Sequence, residues 1–122
     1  MGGLPADFDA SFLNGLQLES IVFHQYIMHL NFSNDITISI ESAFSYSKNK
    51  QKTKPIRIPP DEKTDVMMLV GKRIVGAAGG PGGTLRLVFE NGHEFICHVN
   101  SGEPKYDSYA ISRGKDETIV VV

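Results

Sequence analysis

A thiol next to an imidazole, Cys97 followed by His98, is the first place to look for nucleophilic chemistry in this chain. Both sit in an extended, apolar-alternating stretch, and neighbours on a strand project to opposite faces, so the two side chains cannot hydrogen-bond each other. His93 shares a face with Cys97 but lies four residues away, about 13 Å along a strand. Cys97 therefore reads as a small core hydrophobe. As the sole cysteine it also excludes an intramolecular disulfide.

The four histidines, His24, His29, His93 and His98, raise the question of a metal. None stands at a tight ligand spacing with a second His or Cys on one face, and strand alternation puts His24 and His29 on opposite faces, so no metal site is expected. The glycine-rich run Gly79, Gly80, Pro81, Gly82, Gly83 lacks a following Lys-Ser/Thr and leads into a strand, which argues against a phosphate cradle. Ser108 follows Asp107 without the glycine elbow of a hydrolase. No cofactor and no catalytic residue is expected.

Charge narrows the partner classes. The chain of 122 residues carries 12 Lys plus Arg against 14 Asp plus Glu, a net charge of −2. Five of the cations (Lys48, Lys50, Lys52, Lys54, Arg57) fall within residues 48–57, which hold no acid; removing those five from twelve leaves seven Lys plus Arg against fourteen Asp plus Glu, a body of −7. A basic loop on an acidic body follows. With no tryptophan, and with most aromatics at core parity, a basic groove with stacking platforms is missing and nucleic-acid binding is not expected. There is neither a basic-then-apolar leader nor an apolar run long enough to span a bilayer, so a soluble cytoplasmic protein with no membrane association is expected.

The elements that must position these residues come as one unit written twice. Leu13, Asn14, Gly15, Leu16 through Met28, Leu30, Phe32, Ile36, Ile38 and Ile40 returns as Leu69, Val70, Gly71, Lys72 through Leu85, Leu87, Phe89, His93, Phe95 and Cys97. Gly15 maps to Gly71 and Phe32 to Phe89, shifts of 56 and 57, so the second copy carries one extra residue. The repeats run over about 5–46 and 60–111 of a single domain, linked by the basic loop 47–59. Each opens with a proline and acids, Pro5 to Leu13 and Pro60 to Leu69, and closes with Gly15 or Gly71, which predicts a short helix. A strand follows in each, Leu18 to Phe23 and Ile74 to Ala78, and then a hairpin.

The hairpin register can be chosen by asking which turn keeps the apolar faces together. A three-residue loop with Glu90 and Asn91 in a type I turn and Gly92 left-handed pairs Leu87 with Phe95 and Leu85 with Cys97. Copy one then pairs Leu30 with Ile38 and Met28 with Ile40, with Asp35 in the left-handed slot. The opposite face of copy one, His29, Asn31, Thr37, Ser39 and Glu41, is expected in solvent. That of copy two holds Val88 and Ile96, which would suit cover by another element or a partner. Glu103 to Ile111 leads into a strand, and Thr118 to Val122 forms another after the turn Arg113 to Asp116. The expected fold is mainly β with short helices, two pseudo-symmetric helix-strand-hairpin repeats packed as a β-sandwich or partly open barrel.

The pattern Leu-x-Gly, a strand, then Leu85, Leu87, Phe89, Glu90, Asn91, Gly92, and later Asp107, Ser108, Tyr109, Ile111 resembles small bacterial domains of unknown function with a duplicated hairpin. Similar compact β domains recur among immunity proteins, which bind and block a cognate toxin. The resemblance implies a non-enzymatic binding protein, and the acidic body suits a basic protein partner. Acids and tyrosines near one end of the second hairpin, Glu90, Glu94, Glu103, Tyr106, Asp107 and Tyr109, are the contact candidates, expected as a charged rim with exposed aromatic anchors. Two readings compete with it. One is a small-molecule-binding or catalytic domain whose pocket lies between the repeats, lined by His24, Tyr26, Arg86 and His98; the other is a homodimeric module joined through Val88 and Ile96.

Overall fold

The computed structural model describes residues 9–48, 56–57, 65–99 and 108–122. After a 3₁₀ turn at Ala10–Leu13 come β1 (Leu18–Phe23), β2 (Met28–Phe32), β3 (Ile36–Ile40), β4 (Ala43–Ser47) and β5 (Ile56–Arg57). A second 3₁₀ turn at Val66–Leu69 precedes β6 (Ile74–Gly79), β7 (Leu85–Phe89), β8 (Glu94–Cys97), β9 (Tyr109–Arg113) and β10 (Glu117–Val121). Two five-stranded antiparallel sheets result, ordered β1-β2-β3-β9-β10 and β5-β4-β8-β7-β6. They make a sandwich and do not close into a barrel.

The hairpin registers are those that the apolar pattern selects. Met28 faces Ile40 and Leu30 faces Ile38, while Leu85 faces Cys97 and Leu87 faces Phe95. Gly92 is left-handed at φ 84°, and the Phe89 amide donates to the His93 carbonyl at 2.9 Å, as a three-residue loop requires. Copy one reaches the same register with two left-handed residues, Asn34 and Asp35. These polar side chains tolerate that region better than most.

The expected helices are, over their described parts, single 3₁₀ turns. Asp9 caps the first by accepting from the Ser11 amide at 2.9 Å. What ends each turn is a left-handed glycine, Gly15 at φ 88° and Gly71 at φ 90°. Each glycine amide is then drawn across to the other half: Gly15 donates to the Ile74 carbonyl and Gly71 to the Leu18 carbonyl, both at 2.7 Å. One turn is all the chain needs before it enters that pairing.

At the centre of the pairing Gln17 and Arg73 form an antiparallel bridge. Their side chains reciprocate: Gln17 Nε2 donates to the Gly71 carbonyl at 3.0 Å and Arg73 Nη1 to the Gly15 carbonyl at 2.9 Å. A pseudo-two-fold axis therefore passes between Gln17 and Arg73. Both first strands also carry a bulge at matching places, Glu19 in β1 and Val75 in β6.

The sandwich is closed by an exchange that no local pattern announces. β4 follows β3 in the chain but joins the other sheet, where Phe44 faces Cys97. In return β9 crosses to the first sheet, where Tyr109 faces Ile40. Each repeat thus supplies the strand next to the other's hairpin. The basic loop expected over 47–59 is correspondingly shorter, because Ser47 belongs to β4 and Ile56–Arg57 form β5. Lys48 is tied to Asp65 at 2.6 Å; residues 49–55 and 58–60 lie outside the described residues.

Between the sheets Leu30, Ile38, Ile40, Phe44, Leu85, Leu87, Phe95 and Cys97 are all fully buried. Phe44 and Phe95 stack with ring centres 5.1 Å apart. Full burial of such side chains contributes roughly 1.5–3 kcal/mol each, so this layer is the main source of stability.

Candidate functional site

Among the described residues the inner faces of the sheets are filled with apolar side chains, which leaves the two outer faces for polar chemistry. On the first sheet the outward positions of β2 and β3 are polar and uncharged, and each is hydrogen-bonded across the strands. Asn31 donates to Ser20 Oγ at 2.9 Å and accepts from Thr37 Oγ1 at 3.0 Å. His29 Nδ1 and Ser39 Oγ share a bond of 2.8 Å. These side chains, expected in solvent, are half-buried and locked into a cross-strand ladder.

At the end of that ladder His24 comes back against His29, with ring centres 5.3 Å apart and planes at 77°. The expectation that the two lie on opposite faces fails because His24 stands one residue past the end of β1. The turn that follows, closed by the His24 amide donating to the Ile27 carbonyl at 2.8 Å, breaks the alternation. Desolvation first, and then the charge of His24, hold the His29 imidazole below the usual histidine range. Tyr26, 72% exposed, projects from the same turn.

The second sheet presents different chemistry at the matching positions. Arg86 faces Ile96 and Val88 faces Glu94 across β7 and β8. Arg86 grips Glu94 with two hydrogen bonds, from Nε to Oε2 at 3.2 Å and from Nη2 to Oε1. The Glu94 side chain is only 11% exposed, against 50% for Arg86, so the carboxylate is the shielded member of the pair. Val88 and Ile96, half-buried, occupy the other diagonal. Beside them His98 Nε2 meets Ser45 Oγ at 2.6 Å, and burial pushes the His98 imidazole down. His93, at the strand end, binds the Tyr46 hydroxyl through Nδ1 at 2.8 Å.

Residues 10–122 match DUF6188, a family of unknown function. The chain belongs to DUF6188. No curated protein and no solved structure matches this DUF6188 chain.

Two of its contact candidates need correction. Tyr109, expected as an exposed aromatic anchor, is fully buried in the DUF6188 core. Strand exchange turns it inward on β9, and its hydroxyl donates to the Gly83 carbonyl at 2.8 Å, fixing the glycine-rich β6–β7 connection. Burial drives its phenol pKa up. Glu94 is not a free acid but Arg86's partner. Glu90 is exposed on the β7–β8 turn, as expected; Glu103, Tyr106 and Asp107 lie outside the described residues. Cys97 is a buried free thiol whose pKa burial forces well upward, which makes it unreactive.

The four residues named for a pocket between the repeats are not brought together. Arg86 and His98 point outward from the second sheet, while His24 and Tyr26 belong to the β1–β2 turn of the first. What sequence reasoning missed is the His24–His29 contact and the Ser39 partner of His29. Ser39 was within reach, because the register that pairs Met28 with Ile40 places His29 opposite Ser39. The His24 contact was not, since it depends on the shape of a turn.

Proposed function

We propose that this DUF6188 protein is a non-enzymatic binding protein, immunity-like, bacterial and cytoplasmic, that recognises a basic protein partner with the outer face of its second sheet. One observation carries the reading. Val88 and Ile96 form an apolar diagonal that is only half covered, flanked by the Arg86–Glu94 pair and bordered by the exposed Glu90. An apolar centre within a charged rim is the anatomy of a protein interface. The acid at the rim favours a basic partner and steers its approach. A non-enzymatic role is supported by the inert state of Cys97 and by the use of Ser39, Ser45 and Tyr46 as partners for histidines in cross-strand bonds.

A second reading uses the same diagonal: two copies of the chain packed through Val88 and Ile96. The two are separated by measuring the mass of the purified protein across a concentration series and by affinity capture with wild-type, Val88→Asp and Glu90→Lys baits from a lysate of the source organism. The partner reading expects a constant monomer mass and one basic protein retained by wild type, lost with Val88→Asp and weakened with Glu90→Lys. A mass that doubles with concentration and reverts in Val88→Asp supports the homodimer instead. Equal retention by all three baits defeats the recognition face itself.

A further inference from the structure

We infer that His24 and His29 form an open binding site for a divalent late transition-metal ion, of which Zn²⁺ is the best fit. The site is on the first sheet and does not rest on the recognition face proposed for the second. Its basis is the separation and setting of the two rings. Two imidazoles bound through nitrogen at about 2.0–2.1 Å from one ion, at angles between square and tetrahedral, hold their ring centres about 4.5–5.5 Å apart. The observed 5.3 Å falls at the tetrahedral end of that span, and the two rings meet edge to face with 77° between their planes.

Ser39 decides which nitrogen of His29 is offered. Its hydroxyl engages Nδ1 at 2.8 Å, so Nε2 is the nitrogen left for a metal. That arrangement, one ring nitrogen on the ion and the other on a hydrogen-bond partner, is how metal-bound histidines are ordinarily oriented. Ser39 acts here as a positioning residue. Its β3 strand is itself fixed by its pairing to β2 and β9, so the His29 ring is held by a rigid element. His24 is supplied from the adjoining turn and is exposed. With two protein nitrogens, the remaining coordination positions open to solvent and take water. Among the described residues there is no group of three or more His, Cys, Asp and Glu that would complete a closed structural centre. The site is thus of the open kind, and imidazole donors suit Zn²⁺, Cu²⁺ and Ni²⁺, with Cu²⁺ the tightest of these by general affinity order.

The test is titration of metal-free protein with Zn²⁺ at neutral pH, followed calorimetrically, with nitrogen-15 NMR of the histidine rings alongside. Expected are one equivalent bound in the micromolar range and a coordination shift at His29 Nε2 rather than Nδ1. His24→Gln and His29→Gln each weaken binding tenfold or more, Ser39→Ala weakens it by about tenfold, and His93→Gln leaves it unchanged. Because His24 is exposed, His24→Gln folds normally and keeps the test valid should His29→Gln unfold. Absence of saturable binding, binding undiminished in His24→Gln, or a coordination shift at another histidine overturns the inference.

Discussion

The outward faces of the two hairpins are built on one register and share no chemistry. His29, Asn31, Thr37 and Ser39 in the first sheet correspond, at a shift of 57, to Arg86, Val88, Glu94 and Ile96 in the second, and the cross-strand partners agree pair by pair. The inward positions hold to type: Met28 with Leu85, Leu30 with Leu87, Phe32 with Phe89, all buried. A core position is constrained by the facing sheet, whereas an outward one is answerable only to its cross-strand neighbour and to whatever binds there. One face became a ladder of neutral hydrogen bonds ending in two imidazoles; the other became an apolar diagonal crossed by an ion pair. Shape is held in common, and recognition is where the halves parted.

The comparison is broken most severely from inside. Leu30→Ala and Leu87→Ala, at equivalent buried positions, should each cost about 2–5 kcal/mol and agree with each other to within about 1 kcal/mol, measured by urea denaturation. A large disagreement would mean the two halves of the core are packed unequally. The outer faces should then separate. Arg86→Ala removes two charge-assisted hydrogen bonds from a shielded carboxylate and should cost about 1–3 kcal/mol. Thr37→Ala in the ladder should cost about 1 kcal/mol. A reversed order in the same assay would refute the contrast between an ionic and a neutral face.

The turns sharpen it further. Ala at Gly92 meets no atom within 4 Å, so Gly92→Ala carries only left-handed backbone strain, about 1 kcal/mol. Asp35→Gly relieves such strain in the other hairpin and should stabilise by up to about 1 kcal/mol. Opposite signs in thermal melts are the expected result. Smallest is the effect of pH on His98. Burial lowers its folded-state pKa from the ordinary 6.5. The neutral ring is therefore favoured by folding, its contribution is present above the unfolded pKa, and it is lost as pH falls from there through the folded value. Wild type should lose more stability than His98→Gln between neutral pH and the mildly acidic range; identical slopes would show that His98 titrates unhindered.

Legibility followed the range of the forces involved. Leu18–Phe23 was readable as a strand because its β-branched and aromatic run Ile21, Val22, Phe23 just after a turn glycine is a local cue, and the three-residue loop at Glu90 to Gly92 because only that register collects Leu85, Leu87, Phe95 and Cys97 on one face. Ala43–Ser47 was not recognised as a strand. Its Phe44 and Tyr46 alternate with serines, a pattern short enough to pass for loop, and only Cys97 and Phe95 on the partner strand give it a place. Tyr109 was misplaced for the same reason, since only the pairing of β9 with β3, which sets it opposite Ile40, turns it into the core.

By itself the sequence determined that the chain is β, that two hairpins share a register, that glycines turn the chain at Gly15, Gly71 and Gly92, and that an apolar layer lies between the halves. These follow from side-chain alternation and from backbone conformations that few residues adopt. Only the tertiary structure decided that β4 and β9 trade sheets, that Glu94 is neutralised by Arg86, and that His24 folds back on His29. Those outcomes depend on which segments meet across tens of residues, where small differences in packing and desolvation choose among pairings that the local pattern leaves equal.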